Sequence, residues 1–111
     1  MEELLELAFR SKTIRTLCEV EAAAEKRLGK EVATALRARL ADLDAAASIT
    51  EVIAGRPRLN PRKQKYIIEL AGSFVLTISA NHVKNPMDNS GRIRWDSVTR
   101  IKVDAIGEGN D

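Results

Sequence analysis

The chain has 111 residues, 44% of them apolar and 31% charged, with a formal net charge of +2; a chain of this size suits one domain, residues 1–111, and can bury roughly two thirds of the surface its unfolded form exposes. A single cysteine, Cys18, excludes an intramolecular disulfide, and with one histidine, His82, a zinc site of the Cys/His type cannot be assembled, so no metal and no other cofactor is expected. No apolar run approaches the roughly 20 residues of a membrane span, and Met1 is followed by Glu2 and Glu3 rather than by a leader, so a cytoplasmic protein without a membrane partner is expected.

The first residues, EELLELAF over 2–9, fit two patterns. Leu5, Leu7 and Phe9 alternate as in a strand, while Leu4, Leu5, Ala8 and Phe9 line one side of a helix. Ser11 is placed to cap a first helix, in which Ile14, Leu17, Cys18, Ala24 and Leu28 trace an apolar stripe up to Gly29. On that stripe Cys18 is expected as a buried thiol, not a nucleophile. From Lys30 to Ala46 the residues Val32, Ala33, Leu36, Leu40 and Leu43 recur at a spacing near 3.6, with Arg37, Arg39 and Asp42 on other faces, which predicts a second helix. Ser48 followed by Glu51 has the form of a capping box and Gly55 stands where a left-handed stop belongs, so Ile49 to Ala54 should add one or two short turns.

Residues 56–65, RPRLNPRKQK, carry Arg56, Arg58, Arg62, Lys63 and Lys65 and no acid. Pro57 and Pro61 lack amide protons and fix their own φ, which rules out a regular helix and predicts an exposed, semi-rigid loop. Dividing the chain at Gly55 separates two unlike parts: residues 1–55 hold 8 Lys/Arg against 10 Asp/Glu, and residues 56–111 hold 10 against 6. The positive field belongs to the second part, and a local patch of one sign steers an anionic partner. Without such a partner, the same stretch is a solvated linker.

Beyond the loop the pattern becomes β. Tyr66–Leu70 and Phe74–Ser79 are rich in β-branched and aromatic residues and meet at a Gly72-containing turn, which predicts a hairpin. Asn81–Gly91, NHVKNPMDNSG, is crowded with turn formers and reads as a loop. Val98–Ile106 returns to alternation and predicts a third strand, with Gly107, Gly109 and Asn110 as a flexible tail. Trp95, near Arg92 and Arg94, either stacks on an unpaired base or packs at the end of the core; with four aromatic residues in the chain, packing is the expectation.

This order of elements, together with local strings, resembles the RelE/ParE superfamily of bacterial toxins, in its HigB-like branch. The strings are an SKT-R-LCE segment at Ser11–Glu19, RLG at Arg27–Gly29, RARLADL at the end of the long helix, the AGRPR loop, and a closing pattern carried by Ala80, Asn81, His82, Pro86, Gly91, Ile93, Trp95, Val98, Arg100, Ile101 and Lys102. The resemblance spans essentially the whole chain. It implies a RelE-like α+β domain: an N-terminal strand beside the C-terminal one, two helices plus a short helical turn, then a C-terminal antiparallel sheet, about four strands in all. It further implies a type II toxin–antitoxin module, in which the toxin cleaves mRNA on the ribosome and a cognate, HigA-like helix-turn-helix antitoxin neutralises it and provides the only link to DNA.

The chemistry can be set beside that resemblance. Cleavage by the neighbouring 2′-hydroxyl needs a group to take its proton, a group to protonate the leaving oxygen, and cations for the charge on the phosphate. Arginine serves the last need because its planar fork donates two hydrogen bonds to one phosphate and stays charged. Arg58, Arg100 and Lys102 are the candidate catalytic cations, since positions 100 and 102 of a strand share a face, which is otherwise a wet outer sheet face. Arg56, Arg62, Lys63, Lys65, Arg92 and Arg94 are candidates for RNA binding. His82, the one imidazole, is the candidate proton carrier, with structural hydrogen bonding as its other role. Relatives carry His or Tyr close to the C-terminus; here the tail reads GEGND, and Asn110 cannot shuttle a proton, which leaves Glu108, Asp104 and Tyr66 as other participants. The alternatives are a gyrase poison of the ParE type and an inactive homologue that only binds its antitoxin.

Overall fold

A computed structural model describes residues 4–109. Its architecture is α+β, with three helices on one face of a five-stranded sheet, so the expected class holds while the numbers of helices and strands differ. Pairing settles the ambiguous first segment. Glu6–Phe9 forms β1, parallel to the last strand with Glu6 beside Arg100 and Phe9 beside Val103, and Leu7 and Phe9 pack against the core.

Ser11 caps α1 (Lys12–Glu19), its side chain accepting from the Ile14 amide at 3.2 Å. The first helix expected as far as Gly29 is in fact two, because Val20 is extended (φ −113°, ψ 105°) and separates α1 from α2 (Glu21–Leu28). A β-branched residue gives up helical geometry at modest cost, and the break lets α1 pack on β1 and β5 while α2 packs on α3. Gly29, at φ 88°, ends α2 and starts α3 (Lys30–Asp44), whose Val32, Ala33, Leu36 and Leu43 are buried. One short 3-10 turn follows at Ile49–Glu51, capped by the Ser48 hydroxyl; the Glu51 carboxylate accepts from the Ala47 amide at 3.1 Å, a capping box shifted back by one residue.

The basic stretch is not wholly a loop. Arg58–Asn60 is a strand, β2, antiparallel to β3 (Lys65–Glu69). Pro57 and Pro61 flank it and it lies at the sheet edge, the position where missing amide protons cost no ladder bonds. β3 and β4 (Phe74–Ala80) form the expected hairpin, with Gly72 at φ 60°. β5 (Arg100–Glu108) includes Gly107, which the sequence assigned to a flexible tail; Asn110 lies outside the described residues. The sheet order is β1-β5-β4-β3-β2, antiparallel throughout except at β1–β5, so the sheet is mixed rather than purely antiparallel.

One face of this sheet is dry. Ile68, Leu76, Ile78, Ile101 and Val103 join Leu36, Leu43, Ile49 and Val98 in a core whose side chains are essentially inaccessible. Trp95 is 5% exposed and meets Tyr66 edge to face at 4.8 Å, so it packs in the core and is not free to stack on a base. Among the described residues no helix is long and apolar enough to cross a membrane.

Candidate nucleic-acid interface

The other face of the sheet collects the cations. Side chains alternate along a strand, and cross-strand partners share a face. Ile68 and Leu76 point into the core, so Lys65, Ile67, Val75, Thr77 and Ser79 point the opposite way. Register then fixes the rest: Asn60 is opposite Lys65, Arg58 opposite Ile67, Ser79 opposite Lys102, Ala8 beside Lys102, and Glu6 beside Arg100. Tyr66 opposite Ile78 puts Lys65 next to Ser79. One row therefore crosses all five strands as Asn60, Lys65, Ser79, Lys102 and Ala8, with Arg58 and Arg100 on the same face in neighbouring rows. Arg100 and Lys102 share a face, as strand spacing predicts.

These cations are partnered to different degrees. Arg58 pairs with Glu69 at 3.2 Å in a half-buried contact, and Arg100 with Glu6 at 2.9 Å in a pair largely open to water. Arg100 faces the β1 side, where two open depressions of about 380 and 460 Å³ meet it, one with Leu4 and Thr99, the other with Leu7, Ala8 and Asn81. Lys65 and Lys102 converge on one carboxylate, Asp104, whose side chain is only 4% exposed. Lys65 Nζ is 3.1 Å from Oδ2 and Lys102 Nζ 3.9 Å from Oδ1. Oδ2 accepts no aligned hydrogen bond, so charge rather than direction holds this cluster.

Toward the C-terminal end of β5 the same face sinks into a depression of about 350 Å³, lined by Arg62, Lys63 and Lys65 on one side and Glu108 and Gly109 on the other, with Ile67, Val75 and Thr77 as its floor. Arg62 and Lys63 stand there because the Asn60 side chain accepts from both their amides, at 3.1 and 3.3 Å, folding the β2–β3 turn on itself. Gln64, at φ 53°, completes the turn. Its amide donates to the Pro61 carbonyl at 2.8 Å and accepts from the Ile93 amide at 3.1 Å, tying the first basic stretch to the segment that carries Arg92 and Arg94.

Arg92 and Arg94 are exposed on either side of half-buried Ile93, beside a loop ordered by Asp88. The Asp88 carboxylate accepts from the Ser90 hydroxyl and from the Ser90 and Arg92 amides, at 2.7, 2.8 and 3.0 Å, and the Ser90 hydroxyl bond does most to hold its pKa below the usual value. Arg56 is exposed at φ 47°, before β2 and off the sheet face.

His82 has a holding role. Its Nε2 accepts from the backbone amides of Thr99 and Arg100, at 3.1 and 3.2 Å, which ties the loop after β4 to the start of β5. Tyr66 points into the core against Trp95, and burial pushes its phenol pKa up, so it is turned away from the cationic face. Of the three other candidates for proton transfer, Glu108 alone lines the depression.

Sequence reasoning missed Gln64 and the grouping of Asp104 with two lysines. Asp104 left a trace, an acid that follows Arg100 and Lys102 on the polar side of the strand alternation, whereas Gln64 left none beyond being uncharged among cations. Among the described residues no group of His, Cys, Asp and Glu is arranged to hold a metal ion. Comparison of the chain with protein-family models, curated proteins and solved structures gives no match.

Proposed function

We propose that this protein is the toxin of a type II toxin–antitoxin module, an endoribonuclease that cleaves mRNA on the ribosome. The single observation that carries the reading is that Arg58, Lys65, Arg100 and Lys102, from three strands, share one sheet face bordered by a depression that adds Arg62 and Lys63. A cationic face of this kind suits a bent, single-stranded phosphate backbone better than a small neutral ligand. The HigB-like strings in the sequence point the same way.

In this reading an RNA strand crosses the cationic face with its scissile phosphate toward Lys65 and Lys102 and a neighbouring phosphate over the depression. The 2′-oxygen attacks phosphorus and gives its proton to water, and the 5′-oxygen leaves with a proton from water. The products are a 2′,3′-cyclic phosphate and a 5′-hydroxyl. Ammonium and guanidinium groups stabilise the extra charge on the phosphate as it forms, and the ribosome supplies much of the alignment. A cognate helix-turn-helix antitoxin would cover the cationic face or add a strand at the β1 or β2 edge.

Induction without the antitoxin tests this directly. Growth arrest with new mRNA 5′ ends inside coding frames is the expected result. Arg100→Ala and the pair Arg62→Ala/Lys63→Ala should relieve it while the protein stays folded, because the Arg100–Glu6 pair is exposed and contributes at most about 1 kcal/mol. Arrest with DNA damage and altered supercoiling but intact mRNA would replace the reading with a gyrase poison, and no arrest would leave only antitoxin binding.

A further inference from the structure

We infer that Asp104 is a positioning residue that fixes where Lys65 and Lys102 stand, turning two lysines from non-adjacent strands into one clamp for a phosphodiester. The inference rests on the RNA-cleaving reading above. Three observations carry it. First, Asp104 is the extra residue of a β-bulge: Thr77 pairs with Ala105 and Ile78 with Val103, leaving Asp104 without a cross-strand partner. Alternation from Lys102 already puts its side chain on the face that carries the cations, and the bulge leaves no residue directly opposite it. Second, the carboxylate is 4% exposed while the two lysines are 31% and 35% exposed, so RNA reaches the ammonium groups and not the acid beneath them. Third, Lys65 and Lys102 flank Ser79 in one row, which places their backbones two strand spacings, roughly 10 Å, apart.

Without a shared anion, two lysines at that separation would extend into water and repel one another. The carboxylate draws both heads inward to within 3.9 Å of one of its oxygens. Burying a carboxylate is costly unless cations pair with it, and these two lysines do. Each ammonium carries three protons, so it can donate outward to a phosphate oxygen while it faces Asp104. The clamp is thereby assembled before substrate arrives, the condition under which electrostatic stabilisation costs least at the moment of reaction.

Asp104→Asn, which is nearly isosteric, tests this in the full-length protein alongside Lys65→Ala and the double variant. Binding is read by anisotropy with a labelled 2′-O-methyl RNA oligonucleotide, cleavage by a ribosome-coupled assay, and folding by circular dichroism. With a negative charge gone from beneath the lysines, Asp104→Asn should bind RNA as tightly or more tightly at low salt, with a salt slope steeper by roughly 0.7. Its kcat should fall at least ten-fold with no rise in KM, and adding Asp104→Asn to Lys65→Ala should cost no further rate. Wild-type turnover by Asp104→Asn, a loss that only follows the folded fraction, or losses that multiply in the double variant would overturn the inference. If the wild-type protein cleaves no mRNA, the nuclease reading falls, and binding alone decides the clamp: a changed salt slope in Asp104→Asn upholds it, and wild-type affinity and slope reject it.

Discussion

Gly55→Ala should destabilise the protein by about 2–5 kcal/mol, through two costs that the structure separates. Gly55 is at φ 83°, where an L side chain crowds its own backbone and loses roughly 1–2 kcal/mol. A methyl group there would also collide with Cγ2 of Ile68, a fully buried core residue, and stand 2.8 Å from the Glu69 carbonyl and 3.0 Å from Arg39 Cδ. Overpacking of that kind costs about 1–3 kcal/mol. The backbone has little room to withdraw, because the Gly55 carbonyl accepts from the Glu69 amide at 2.6 Å. Urea unfolding followed through Trp95, the one tryptophan and a buried one, reads the loss. With a slope of about 1.5 kcal/mol per molar, the midpoint should fall by roughly 1–3 M. Gly72→Ala is the control, since Gly72 is also left-handed, at φ 60°, but nothing lies within 4 Å of a methyl group there. It should show the conformational cost alone. Equal midpoints for the two variants would refute the steric half of the reasoning, and a fall below about 0.3 M for Gly55→Ala would refute both halves. Gly55 leads directly into Arg56 and β2, so its loss should also loosen the placement of Arg58 on the cationic face.

His82→Ala removes the acceptor for the Thr99 and Arg100 amides and should cost about 1–2 kcal/mol; hydrogen exchange at those two amides should quicken, and unchanged protection would show that the imidazole does not hold the start of β5. Cys18 gives a pH dependence. Burial, with Glu19 adding to it, pushes its thiol from 9.0 up to about 11, so the unfolded chain releases this proton first. The contribution of Cys18 to stability should be constant below pH 9 and decline between pH 9 and 11. The difference in unfolding free energy between wild type and Cys18→Ala should trace that decline, and a flat difference across the window would contradict it.

What the sequence determined alone was everything governed by neighbours in the chain. Ser11 and Ser48 cap because a hydroxyl reaches an amide two or three residues on, Pro57 and Pro61 forbid a helix through their own rings, and the apolar repeat of Lys30–Asp44 needs only the helical period. The shared face of Arg100 and Lys102 follows from strand alternation in the same way. Contacts between distant segments decided the rest. Leu4 to Phe9 suited helix and strand equally until the edge of β5 offered its hydrogen bonds. Arg58–Asn60 became a strand because β3 lay beside it, and α1 parted from α2 at Val20 because the two halves pack on different surfaces. Asp104 and Lys102 met Lys65 only once three strands were in register. Local sequence fixes the charges and the torsional preferences, whereas the position of one charge relative to another 39 residues away is set by sheet pairing, which no short window of residues contains.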